Sequence, residues 1–401
     1  METGARLASN KPLDYEWGCK LAMRHGLKLS HHRTIKAVAA LLARGMLIAL
    51  CAAYATGCSK TNRPGVGKSS ANGLSNSAQL KSDTITIDSI PFGELNGGDV
   101  YNASDIIPLA DSRFLFCDNN TSDALFELDL TPDGRKKGPL IRRPLQGLAP
   151  DAVSDIEDMA LVEDGGRRYV FITSSMQVKK ARNDSLVVPP SGVLRVTINQ
   201  DDSLSAENTP GFRDWLIGAY PQLAASARVR PKDGGLNIEG LAWDKSRRAL
   251  LFGLRTPVPD GKLMILPVKV KNIAGPWSTS NLEAQPPIHL SVEAVGDEQG
   301  IRCLDNGRDR DTFLVITGKA THHTEAPFSL YEWNGNADGA LRRFSIRFAK
   351  EMKPEGITRG TIGGKTAFVI VDDGGGYQVI WGANGLPYAS APPLHSQYHG
   401  K

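Results

Sequence analysis

A strand–turn–strand unit that recurs along the chain constrains this sequence more than any single motif in it. The clearest copy is NIEGLAWDKSRRALLFGLRTP at 237–257: a turn, a short apolar strand, a polar turn, a second apolar strand and a charged residue where that strand ends. Related copies are SDIIPLADSRFLFCDN at 104–119, DIEDMALVEDGGRRYVFITSS at 155–175, GIRCLDNGRDRDTFLVITGK at 300–319 and PEGITRGTIGGKTAFVIVDD at 354–373. A unit this short cannot bury its own apolar faces, so the copies must pack on one another.

Each copy is followed by further short apolar runs. Strands are expected at 106–109, 114–117, 125–130 and 140–144, then at 159–162, 169–173 and 193–198. The third unit has 241–243, 250–254, 262–268 and 288–295; the fourth has 313–317, 329–333 and 341–348; the last has 357–361, 367–371 and 377–381. Short strands joined by tight polar turns, about four to a unit, make the blades of a β-propeller. The expected fold is therefore all-β: a single propeller of five blades, or six if 199–236 holds another. The last unit lacks a fourth strand, and Thr84-Ile85-Thr86-Ile87 has no blade of its own, so the N-terminal strand is expected to close the ring in the last blade. One inserted helix is expected within 210–227, where Phe212, Trp215, Leu216 and Ala219 fall on one helical face behind Pro210.

The N-terminus reads as a targeting segment over residues 1–57. Arg33 and Lys36 precede an apolar run that ends Ala55-Thr56-Gly57-Cys58, the layout of an export signal with Cys58 as a lipidation site; a start at Met23 gives it ordinary proportions. The expectation is a periplasmic or cell-surface protein held to a bacterial membrane by lipid alone. Residues 58–82 are rich in Ser, Asn, Gly and Lys and read as a tether. The GVGKSS inside them lacks the strand, helix and glycine spacing of a phosphate loop. The propeller domain is expected over 83–390, with a disordered tail at 391–401. The stretch before Cys58 holds 8 Lys/Arg and 3 Asp/Glu, which leaves 39 and 40 for the rest of the chain. A near-neutral remainder speaks against a nucleic-acid binder. Beyond Cys58 the cysteines are Cys117 and Cys303, both at apolar strand positions and expected to be buried free thiols.

Aligning the copies singles out two positions. Asp105, Glu157, Glu239, Arg302 and Glu355 share the start of the first strand; Asn119, Ser174, Arg255, Gly318 and Asp372 share the end of the second. In a propeller both sets reach one rim of the central channel. Carboxylates gathered there raise one another's pKa or bind a hard cation, and arginines clamp an anion. Glu239, Glu355, Glu157 and Asp372 are the candidate catalytic acids and bases. Arg255, Arg302, Lys319 and Ser174 are the candidate ligand contacts. Asp105, Glu157, Glu239 and Glu355 are the candidate calcium ligands. A purely structural reading stands beside this one: a Glu-Gly opening a propeller strand also bonds neighbouring backbone. Lys179, Lys180 and Arg182, in the insertion at 176–191, read either as a positive lid or as a solvated face, and His322-His323 as a loop near the rim.

The residues NIEGLAWD at 237–244, GLRTP at 253–257, GIR at 300–302 and PEGI at 354–357 resemble the DUF3616 family, over roughly residues 100–375. That resemblance implies no activity. More distantly, the repeated Glu-Gly is similar to that of phytase-like esterase propellers, which implies calcium in an acidic channel. The expected function is a hydrolase of a small anionic molecule such as a phosphoester. The alternatives are a non-catalytic scaffold that binds a protein partner at the membrane, and a glycosidase with two carboxylates across an open cleft.

Overall fold

A computed structural model describes residues 84–93, 101–149, 151–292, 298–306, 312–382 and 385–389. All of them belong to the second of the chain's two units, Ala78–Lys401. The signal at 1–57, the tether at 58–82, Cys58 and the tail at 391–401 lie outside the described residues. No helix among the described residues is long and apolar enough to cross a membrane.

The repeats become five antiparallel arrays among the described strands. Their innermost strands are Ala103–Ala110, Ile156–Asp164, Asn237–Asp244, Gln299–Asp305 and Pro354–Ile362. Each packs against the next, and Pro354–Ile362 returns against Ala103–Ala110, so the inner strands close a ring. Three of them, Asn237–Asp244, Gln299–Asp305 and Ala103–Ala110, are buried along nearly their whole length. This is why they show no inside–outside alternation, and why their polar residues, Glu239, Arg302 and Asp105 among them, are buried too. Apolar clusters fill the wedges between neighbouring arrays; one contains Ile107, Leu115, Met159 and Val170, another Ile106, Phe116, Val369 and Tyr377.

Two expectations about the periphery change. The fourth strand of the second array is Leu204–Asn208, within the stretch expected to be helix and loop. Its LSAEN alternation is short and polar, but it pairs with Val193–Ile198 on one side and in parallel with Ile141–Gln146 of the first array on the other. Two arrays thereby share one sheet and cover each other's edges. Ile85–Ile87 does not enter the last array; it pairs in parallel with Ile346–Phe348. The strand that completes the last array is the next one, Ile90–Pro91, paired with Gly376–Trp381. The expected helix, α1 (Phe212–Ala219), spans its apolar stripe and stops there, because Tyr220 leaves helical geometry ahead of Pro221. Three 3-10 turns follow in place of further helix, at Pro221–Leu223, Ser226–Arg228 and Pro231–Asp233. Phe212 and Leu216 of α1 pack with Phe171, Phe252 and Leu254, wedging the helix against the second and third arrays.

Each innermost strand carries a register shift near its start, where one residue has no partner on the second strand. The shifts fall between Ala103/Asp105, Ile156/Asp158, Ile238/Gly240, Ile301/Cys303 and Pro354/Gly356. The bulged residues are therefore Ser104, Glu157, Glu239, Arg302 and Glu355. Asp105 does not share their position. It is one residue further on, equivalent to Asp158, Gly240, Cys303 and Gly356. Bulges re-aim side chains and are common beside functional sites.

The glycine after the bulge has a steric cause at Gly356, where an added Cβ would lie 2.5 Å from the Asp105 Cα. A backbone atom of the neighbouring array cannot swing aside. Gly356→Ala is expected to cost about 1–3 kcal/mol of stability by urea unfolding. Gly218→Ala, in α1 with nothing within 4 Å of the new methyl, is expected to be neutral or mildly stabilising.

Candidate active site

The bulges turn Glu157, Glu239, Arg302 and Glu355 into the floor of a cavity of about 470 Å³. Arg302 stands between two of the acids. Its Nη2 bonds Glu355 Oε1, and its Nε meets Glu239 Oε2 at 2.8 Å, held by charge because the geometry is off the hydrogen-bond line. Arg255 Nη1 takes the other Glu239 oxygen at 3.0 Å, Asn237 Nδ2 adds to the same oxygen at 2.7 Å, and Arg255 Nε is anchored on the Ala320 carbonyl at 3.0 Å. The expected meeting of Glu239 and Arg255 at one rim is thus seen as a direct ion pair.

Glu157 is different. It is buried and lines the same cavity, yet its carboxyl makes no hydrogen bond or ion pair among the described residues. Burial pushes it well above the usual carboxylate range, and the charges of Asp155, Glu239 and Glu355 add to the push against a smaller pull from Arg302. Glu355 is raised to about 7, again by burial first, with Arg302 opposing and Glu239 and Asp373 adding. For Arg302 itself, burial works against the charge, but Glu239, Glu355 and Glu157 around it hold the guanidinium ionised.

Lysine and arginine crowd the walls. Lys179, Lys180, Arg230 and Lys232 line the cavity along with His322, with Asp155 and Asp373 between them. The two lysines come from a hairpin, Lys179–Lys180 paired with Leu186–Val187, inside the expected lid. Lys179 reaches Asp155 at 2.9 Å; that carboxylate also receives Ser175 and Gln177. One buried acceptor on the floor is unused: Asn237 Oδ1 has no hydrogen-bond partner among the described residues. Asn237 and Asp155 were not singled out in the sequence because they precede the bulge and only the fold turns them to the cavity.

Four expected residues are placed elsewhere. Asp105 lies in the layer below, as its register position dictates. Asp372 is a buried cap whose Oδ1 accepts the Lys353 and Gly374 N–H groups at 2.7 and 3.1 Å, while its neighbour Asp373 faces the cavity. The Ser174 Oγ is buried and exchanges hydrogen bonds with Gly192, donating to the carbonyl at 3.3 Å and accepting the N–H at 3.1 Å. Lys319 ends its strand opposite Gln299 and is not among the residues lining the cavity. The four expected calcium ligands do not gather: the close group of ligand-type atoms among the described residues is Asp105, Asp158 and Cys303, without Glu157, Glu239 or Glu355. With Asp105 a layer away and Arg302 between Glu239 and Glu355, the cation of this floor is the guanidinium.

Beneath the floor, Asp105, Asp158 and Cys303 present ligand-type atoms within 4.8 Å of one another. Burial raises the Asp105 carboxyl to about 8; its bond to Asp158 opposes this and Asp305 adds to it. Burial and then the Asp105 charge lift Asp158 well above its ordinary value. Cys117 and Cys303 are the buried free thiols expected.

A closed ring of β-arrays around a charged channel mouth defines a propeller-type protein. Residues 198–355 match the family described as "Protein of unknown function (DUF3616)", which bears out the resemblance read in NIEGLAWD and GIR. No curated protein matches the chain. Among solved structures it is similar to an alpha-L-arabinofuranosidase from Lactobacillus brevis, at 11% identity over 73% of this chain and 94% of that one, with a TM-score of 0.43. It is similar to the alpha-L-arabinanase of Cellvibrio cellulosa at 8% identity over 73% and 95%, with a TM-score of 0.38. It is also similar to the Malassezia sympodialis allergen Mala s 1 at 10% identity over 68% and 72%, with a TM-score of 0.32.

The raised acids predict a pH dependence. Their folded values, about 8 for Asp105 and about 7 for Glu355, exceed the unfolded 3.8 and 4.5. The folded chain then binds these protons more tightly, so their stabilisation is full below about pH 4 and is lost as pH rises through 7 to 8. Thermal melts are expected to fall by several degrees between pH 5 and pH 8.5, and Asp105→Asn is expected to flatten that slope.

Proposed function

We propose that the cavity binds a small hydroxylated anion and hydrolyses an ester bond in it, with a phosphoester the best chemical fit. The observation that carries this reading is Glu157: a buried carboxyl without a partner among the described residues, pushed towards the neutral form at the floor of an open cavity, beside the ion-paired Glu239–Arg302–Glu355 group. Perturbed acids in clefts mark catalytic sites more often than chance. The lysines and arginine of the walls attract and orient the anion, and the unused Asn237 Oδ1 accepts a ligand hydroxyl.

In this reading the protonated Glu157 gives its proton to the leaving-group oxygen. Glu355, the acid poised near neutrality, takes the proton of the attacking water, so that the new oxygen bond forms as the leaving bond breaks. Arg302 balances Glu355 before the transfer, and Arg255 holds Glu239 in place. No metal enters any step. Export and lipid attachment through Cys58 belong to the same reading: they put the site at a membrane surface, where the lipid is the only anchor.

The test is turnover of p-nitrophenyl phosphate and bis(p-nitrophenyl) phosphate by the full-length protein. Glu157→Gln is expected to lower kcat about 10²-fold or more, and Lys179→Ala with Lys180→Ala to raise KM with little change in kcat. Activity should fall as pH rises through the Glu157 titration, because the acid must be protonated. Chelation by EGTA is expected to change neither turnover nor melting temperature. Wild-type protein that binds pyrophosphate but turns over no ester would convert the site into a binding module. For the anchor, Cys58→Ser is expected to abolish incorporation of labelled palmitate and to release the protein from the membrane fraction.

A further inference from the structure

The layer below the floor has an order that the bulges explain. Two residues beyond each bulge, the inner strand turns a backbone N–H to this layer, and each of these groups is accepted by one of three buried side chains. Met159, two beyond Glu157, donates to Asp105 Oδ2 at 3.0 Å and to Asp158 Oδ1 at 2.6 Å. Leu241, two beyond Glu239, and Leu304, two beyond Arg302, donate to the same Asp158 Oδ2 at 2.8 and 3.1 Å. Ile357, two beyond Glu355, donates to the Cys303 sulfur, and Ile106, two beyond Ser104, to Asp105. The Cys303 thiol in turn donates to Asp105 Oδ1 at 3.6 Å, and the two carboxyls are hydrogen-bonded to each other. Side chains from three arrays thus hold the strands of all five.

We infer that Asp105, Asp158 and Cys303 are positioning residues, a buried hub that sets the spacing of Glu157, Glu239, Arg302 and Glu355. Asp158 is the pivotal member, because one of its oxygens holds the strands of Glu239 and Arg302 while the other holds the strand of Glu157. The cluster has the compactness of a metal centre, but its oxygens already accept main-chain N–H groups and its two carboxyls share a hydrogen bond. Hub chemistry accounts for all three residue types: acceptors are needed where five N–H groups converge, and the shared hydrogen bond lets two carboxyls lie together. The inference concerns the geometry of the floor. It bears on catalysis only through the proposed function above.

The experiment follows the Glu157 carboxyl by difference infrared spectroscopy of the full-length protein, its band identified by its loss in Glu157→Gln. Asp158→Asn replaces one accepting oxygen by an NH2 group and so releases either Met159 or the Leu241 and Leu304 pair. In that variant, with far-ultraviolet circular dichroism unchanged, the Glu157 midpoint is expected to drop by about one pH unit or more as the floor loosens and water enters. Asp105→Asn should shift it less, because Met159 keeps Asp158 Oδ1. If Asp158→Asn does not fold, Cys303→Ala takes its place: the Glu355 midpoint, near 7 in the wild type, is expected to fall towards the ordinary value once Ile357 loses its acceptor. Folded variants that leave the Glu157 and Glu355 midpoints where they were would overturn the inference and reduce the cluster to core packing. The readout needs no substrate, so absence of phosphoester turnover would sink the proposed function and leave this result standing.

Discussion

The structure depends on how a closed ring of strands disposes of its innermost N–H groups. Each inner strand is bulged near its start, and a bulge breaks the ladder and frees main-chain donors. Unpaired buried donors are costly, so acceptors have to come from side chains in the channel. Asp158 accepts from three strands, its own included, and Asp105 and Cys303 take the rest. The same bulges lift Glu157, Glu239, Arg302 and Glu355 to the cavity floor. Support and site are two consecutive layers of one irregularity.

That arrangement explains why the acids differ so much from one another. Glu239 sits between two arginines and Asn237, with its charge compensated on both oxygens. Glu355 has one arginine contact and is pushed up to about 7. Glu157 has none, and burial pushes it well above its ordinary range, towards the neutral form. Glu157 and Glu355, equivalent residues on equivalent strands, differ in their surroundings because Arg302, at the same position of the fourth strand, bonds Glu355 and not Glu157. Separation of proton affinities within one cavity is what acid–base chemistry requires.

Much of the fold was legible in the chain. The strand–turn–strand copies predicted the inner two strands of every array, and Phe212, Trp215, Leu216 and Ala219 predicted a helix where α1 stands. Leu204–Asn208 escaped notice because its burial comes from neighbours on both sides, and LSAEN alone reads as a polar loop. The ring-closing strand was misplaced by a few residues because Ile85–Ile87 is the better strand former, while Ile90–Pro91 wins its place through the open edge of the last array. Asp105 was aligned one layer too high for a related reason. A bulge has no sequence signature of its own, and Ser104, the true equivalent of Glu157, carries no charge to draw attention to it.

The sequence by itself determined the repeat, and with it the identity of the residues at the floor. Glu239 and Arg255 were expected at one rim from the alignment of the copies, and they meet at 3.0 Å. Only the tertiary structure decided which acids are paired and which is left without a partner, and that Asp372 and Ser174 cap the main chain while Asn237 and Asp373 face the cavity. The physical reason is that a repeat specifies position within one array, whereas proton affinity and hydrogen bonding are set by neighbours on the adjoining arrays. Those neighbours lie 54 residues away for the Met159–Asp105 contact and 146 for Leu304–Asp158, and nothing local encodes them.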